Sequence, residues 1–143
     1  MGRGAGRIFC LPFAGGNSYA YRDWAKHLGA DIEVDAVELP GRGRRSGEPL
    51  LLSMDALVDD ALQQMRPRLE APYAIYGHSM GSTHVWLATP HDPRITCAVG
   101  NCCMPTYAAI ERTQLLHCFP NFVPGWRTAE RDIPDMVALA CPK

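Results

Sequence analysis

Residues 73–84 read YAIYGHSMGSTH, four apolar positions running into a serine held between two glycines. The unbroken apolar run Tyr73–Tyr76 suits a strand covered on both faces, as in a parallel sheet. Gly77-His78-Ser79-Met80-Gly81 fits the pattern G-x-S-x-G, and STHVWLA at 82–88 opens like a helix. A serine at the tip of a sharp strand-to-helix turn needs small neighbours two positions away on either side, because the backbones cross closely there. Such a turn lifts the hydroxyl above the sheet edge and aims the next N–H at the same space. The free amides and positive dipole end of the helix behind it favour developing negative charge. A plain structural turn whose serine caps the helix shares the pentapeptide. The flanking strand and helix are the context a nucleophile requires.

Working towards the N-terminus, the helix before this strand is the clearest in the chain. Met54, Leu57, Val58, Ala61, Leu62, Met65 and Leu69 form one stripe on a 3.6-residue period, with Ser53 as N-cap and Pro67 ending or bending it. Residues 32–39 (IEVDAVEL) read as a strand ended by Pro40-Gly41-Arg42-Gly43. Ile8–Leu11 is another short apolar strand, bounded by Pro12. Between them, the turn-rich stretch Pro12–Ser18 leads to a helix capped by Ser18 and running to Leu28. Ala20, Trp24 and Leu28 share its face and Gly29 stops it. Strands alternating with one-faced helices imply parallel pairing through right-handed crossovers, an α/β fold. The glycines of Phe13-Ala14-Gly15-Gly16 let that loop approach a ligand at the same sheet edge as Ser79. An ordinary flexible turn has the same composition.

Towards the C-terminus the composition changes. The 55 residues from Thr89 carry seven of the 12 prolines and five of the six cysteines, but only ten of the 29 charged residues. Helical windows are therefore few. Ile95–Val99 reads as a fourth strand, 106–119 as a helix capped by Thr106, and 134–140 as a short helix with Pro at its first position.

Composition bounds the rest. A chain of 143 residues that is 47% hydrophobic and 20% charged fits one globular domain. A net charge of −1 offers no electrostatic case for nucleic acid or anionic membrane. No apolar run reaches a bilayer span, and the first 13 residues, MGRGAGRIFCLPF, lack the apolar core of a secretory signal. The cysteines then read as free thiols in a cytoplasmic protein. They contain no C-x-x-C pair, so neither a metal nor another cofactor is expected.

Three stretches together are specific. FCLPFAGGNSYAYRDWAKHL (9–28), VELPGRGRR (37–45) with EP behind it, and PYAIYGHSMG (72–81) resemble, in order and spacing, the type II thioesterases of nonribosomal peptide and polyketide biosynthesis. The resemblance covers roughly residues 7–82. It implies a partial α/β-hydrolase fold, a parallel sheet with flanking helices whose C-terminal half is incomplete or divergent. Residues 7–88 would form the family-like core of a single domain and 89–143 a divergent tail. It also implies hydrolysis of acyl groups from the phosphopantetheine arm of an acyl or peptidyl carrier protein. Ser79 would be the nucleophile, and the N–H groups of Ala14 and Met80 the oxyanion hole. Arg42, Arg44 and Arg45 would either face an acidic carrier surface or be solvated loop charge.

Such enzymes carry an aspartate and then a histidine downstream of the serine, on loops after later strands. Here the match stops, as a frameshift or deletion just beyond GHSMGS would leave it. His78 sits inside the elbow, with its side chain expected to point away from the nucleophile's, and His84 lies on the departing helix. Asp92 and His117 are the remaining candidates with the right chain order. Two further readings stay open: a catalytically silent carrier-binding module, and a serine esterase that uses Ser79, Asp92 and His117.

Overall fold

The structure, a computed structural model, describes residues 6–69, 73–102, 105–113, 125, 128 and 132–140. Four strands, β1 (Gly6–Leu11), β2 (Ile32–Ala36), β3 (Tyr73–His78) and β4 (Ile95–Asn101), form one sheet in the order β2-β1-β3-β4. All three pairings are parallel. Helices α1 (Met54–Met65) and α2 (Met80–Ala88) are the crossovers on either side of β3; α3 (Tyr107–Thr113) and α4 (Ile133–Ala138) follow β4. The α/β expectation is met in this sheet and its flanking helices.

Alternation along β1 and β3 divides the core between the two sheet faces. Phe9, Leu11, Tyr73 and Ile75 turn to one face and pack with Met65 of α1 and Val85 of α2. Phe9 and Tyr73 meet edge to face, ring centres 5.5 Å apart. Cys10 and Tyr76 turn to the other, against Tyr21 and Trp24. Tyr21 anchors that side by donating to the Leu11 carbonyl at 2.8 Å.

Several local expectations change. The helix expected over 18–28 is two short 3-10 turns, Ser18–Tyr21 and Trp24–Lys26. The cap is Asn17, whose side chain accepts from the Tyr19 N–H, because Ser18 bonds instead to Glu38. β2 stops at Ala36, where the chain turns Glu38 inward. Ser53 does cap α1, accepting from the Ala56 N–H. That helix ends at Met65 and tightens into a 3-10 turn over Arg66–Arg68 that takes in Pro67. Thr106 caps α3 through the Ala109 N–H. Of the helix expected to 119, residues 114–119, with His117, lie outside the described residues. The last helix begins at Ile133, which puts Pro134 second.

Candidate active site

β3 carries the chain to His78, and α2 begins two residues later. Ser79 alone makes the turn, with φ 53° and ψ −117°, a sparsely populated backbone region that costs about 1–3 kcal/mol and persists only where the surroundings enforce it. Four contacts do so. The Ser79 N–H donates to the Asn101 carbonyl at 2.9 Å, and its carbonyl accepts from the Ser82 N–H at 2.8 Å. The fully buried Ser82 hydroxyl lies 2.8 Å from the Gly77 carbonyl and 2.6 Å from that of Asn101, tying strand, turn and helix together.

The glycines answer to space. A Cβ on Gly77 would lie 2.1 Å from the Gly81 carbonyl oxygen; one on Gly81 would lie 2.4 Å from that of Leu11. The first turn of α2 therefore rests on the end of β1, where the next loop leaves. That loop closes with the Gly16 N–H donating to the Phe13 carbonyl at 2.8 Å, and Gly15 takes φ +77°. Ala14 stands exposed at its crest. The Phe13 ring meets the His78 ring edge-on at 5.5 Å, which seats the loop against the elbow and accounts for the His78 side chain. Met80, the first residue of α2, supplies a free helix amide beside Ser79.

The three arginines of the 37–45 stretch part company. Arg45 clamps Asp60 with both Nη atoms, holds Glu48 with Nε and Nη2, and donates to the Glu38 carbonyl. Hydrogen bonds from Arg45 hold the Asp60 carboxyl below its usual range. Arg45 is thus a structural clasp. Arg42 folds back onto the Gly41 carbonyl, and only Arg44 projects into solvent.

A cleft of about 430 Å³ opens beside Met80, between α1 and α2, floored by Leu11, Pro12 and Ile75 and walled by Ala61, Met65 and His84. Burial lowers the pKa of His84 from its usual value.

Asp92 is displaced from the site. It precedes β4, whose first residue Ile95 pairs with Tyr73, the first residue of β3. Its carboxylate accepts from the Tyr73 hydroxyl at 2.8 Å and from Arg94. Ser79 lies at the other end of β3, about 20 Å away at the usual rise of a strand. The triad Ser79–Asp92–His117 is therefore corrected at its middle member. Among the described residues no group of three or more His, Cys, Asp or Glu could hold a metal ion, and no helix is long and apolar enough to cross a membrane.

Two supporting residues, Ser82 and Asn101, were not picked out from sequence. Ser82 could have been, since it directly follows Gly81 where the elbow must be braced. Asn101 contributes a carbonyl, which no residue type announces.

A parallel sheet bearing a tight serine turn at its carboxyl edge is the arrangement of the α/β-hydrolase fold, here in part, and solved structures agree. RedJ, a thioesterase from the prodiginine biosynthetic pathway of Streptomyces coelicolor, aligns with a TM-score of 0.55 at 34% identity over 66% of this chain and 42% of its own. ClbQ, from the colibactin NRPS/PKS pathway, aligns with a TM-score of 0.59 at 25% identity over 94% of this chain and 64% of its own. In sequence, the gramicidin S biosynthesis protein GrsT of Aneurinibacillus migulanus is 31% identical over 110 residues, 64% of this chain and 43% of that protein. The family model for the thioesterase domain matches residues 6–84, more than half of the chain. The chain belongs to the thioesterase domain family. It spans less than two thirds of the length of each of these relatives.

Proposed function

We propose that this chain is a thioesterase of nonribosomal peptide or polyketide synthesis, acting in the cytoplasm as one domain with a family-like core at 7–88 and a divergent tail at 89–143. In this reading the Ser79 oxygen attacks the carbonyl carbon of an acyl thioester, and the carbonyl oxygen becomes an oxyanion held by the N–H groups of Met80 and Ala14. Collapse of that intermediate breaks the C–S bond, the proton given up by the Ser79 hydroxyl ends on the pantetheine sulfur, which leaves as a thiol, and water then releases the acyl group as a carboxylic acid and restores the Ser79 hydroxyl. The partner is an acyl or peptidyl carrier protein presenting the acyl group on its phosphopantetheine arm. The apolar cleft beside Met80 gives that group an apolar surface to lie against.

The carrying observation is the backbone of Ser79, forced into a strained turn between two glycines at the mouth of α2. Strain of this kind clusters at functional sites, where it aims a reacting group. Relatives named for gramicidin S, prodiginine and colibactin pathways support the pathway class.

The test incubates the purified chain with a fluorophosphonate probe and with acyl-pantetheine thioesters, beside Ser79→Ala. Labelling and turnover are expected in the native chain and a loss of at least about 1,000-fold in the variant. Absence of Ser79-dependent labelling and turnover would leave a silent carrier-binding module. Turnover that survives Ser79→Ala would remove Ser79 from the chemistry.

A further inference from the structure

Glu38 is a carboxylate with 3% of its surface exposed, a placement that costs several kcal/mol unless the charge is met by donors. Its side chain is met from two separate loops. Oε1 accepts from the Ser18 N–H at 2.9 Å; Oε2 accepts from the Ser18 hydroxyl at 2.6 Å and from the Arg44 N–H at 3.3 Å. The Arg44 guanidinium lies 3.8 Å off. Its backbone is fixed as well, with the N–H on Gln64 Oε1 and the carbonyl accepting from Gln64 and Arg45. Gly43 explains how the carboxylate fits: a Cβ there would stand 2.4 Å from Oε2.

We propose that Glu38 is a positioning residue for the oxyanion-binding loop, holding by way of Ser18 the segment that carries the Ala14 N–H. The loop leaves β1 at Pro12, where it is wedged against Gly81, and has its second anchor at Ser18. Ala14 lies between these two fixed points. With Ser18 released, the crest keeps its Gly16–Phe13 turn and the Phe13–His78 contact but loses the anchor nearest its C-terminal side, and the Ala14 amide is held less firmly opposite Met80. Hydrogen bonds to the charged form outweigh burial and lower the pKa of Glu38, so the clasp is anionic at neutral pH. This assignment rests on the reading of Ser79, Ala14 and Met80 given above.

The test uses the full chain carrying Glu38→Gln or, as the milder variant, Ser18→Ala, which removes the hydroxyl bond and leaves the buried carboxylate with the backbone N–H donors of residue 18 and Arg44. Hydrogen exchange at residues 13–18 reads the clasp without reference to hydrolysis, and protection is expected to fall at least tenfold in both variants. In turnover of an acyl-pantetheine thioester, kcat per phosphonate-titrated site is expected to drop tenfold or more with KM unchanged, since an oxyanion donor acts in the transition state. The double variant should lose no more than the worse single one. Unchanged exchange at 13–18 would overturn the proposal, as would a loss confined to the fraction of folded protein or to KM. If the native chain hydrolyses nothing, the functional reading fails and the exchange result alone decides this one.

Discussion

Replacing Gly77 by alanine tests the elbow at its tightest point. The added Cβ would sit 2.1 Å from the Gly81 carbonyl oxygen, 2.2 Å from its carbon and 2.5 Å from the Ser82 nitrogen. Ordinary contact begins near 3.4 Å, so strand and helix must part by about 1.3 Å. All three obstacles are backbone atoms, and no side chain can rotate away. Parting them stretches the Ser82 hydroxyl off the Gly77 carbonyl and the Ser79 carbonyl off the Ser82 N–H. Each such hydrogen bond is worth about 1 kcal/mol net. With overpacking of about 1–3 kcal/mol added, the expected loss is about 3–5 kcal/mol. Because native stabilities are about 5–15 kcal/mol, this is a large fraction of the total. Urea unfolding followed by fluorescence should show the midpoint falling by about 1.5 M or more, with m about 2 kcal/mol/M. Gly47→Ala is the matched control: a Cβ there meets nothing within 4 Å, and the change should stay within about 0.5 kcal/mol. Should Gly77→Ala unfold within 1 kcal/mol of the native protein, the close crossing of strand and helix would be wrong.

Two further outcomes follow from titrating groups away from the site. Arg94 and the Tyr73 hydroxyl hold the Asp92 carboxyl well below the usual carboxylate range. A depressed folded pKa adds stability above the unfolded value near 3.9, and that stability is lost as the pH falls below about 5. Asp92→Asn should therefore flatten the acid limb of urea midpoints measured from pH 6 to 3, by about 1 kcal/mol since Arg94 is half exposed; an unchanged limb refutes the contribution. Burial first, and the nearby Asp35 charge second, push the Cys10 thiol up to about 12. In native protein a thiol reagent should modify exposed Cys97 and Cys102 within minutes and reach Cys10 only after unfolding. Modification of native Cys10 would show the Tyr21–Tyr76 side of the sheet to be open.

What could be read from the residues and what could not divide along one physical line. The strands and α1 declare themselves through period: Phe9 and Leu11 pack against α1 and α2, Cys10 against Tyr21, and α1 sends Ala61 and Met65 into the core, although Val58 and Leu62 of the same stripe stay exposed. The elbow declares itself through exclusion, since only glycine fits at 77 and 81. The stretch from Ser18 to Leu28 has the composition of a helix capped by Ser18, yet it forms two 3-10 turns capped by Asn17, and a carboxylate twenty residues away competes for the Ser18 hydroxyl. That competition is non-local, and no window around Ser18 contains it. Asp92 misleads for the same reason. Its place after Ser79 in the chain is right for a triad acid, yet a parallel strand must restart at the opposite end of the sheet, so residues entering β4 lie a full strand length from the turn that ends β3. The acid of such a site has to come from the carboxyl end of a strand, where Asn101 and Cys102 stand in β4 and its exit. Cys102 takes a positive φ of 75° there, so the chain turns sharply as it leaves that edge. In a parallel sheet, chain order names the candidates for a site; which end of the strand they occupy decides among them.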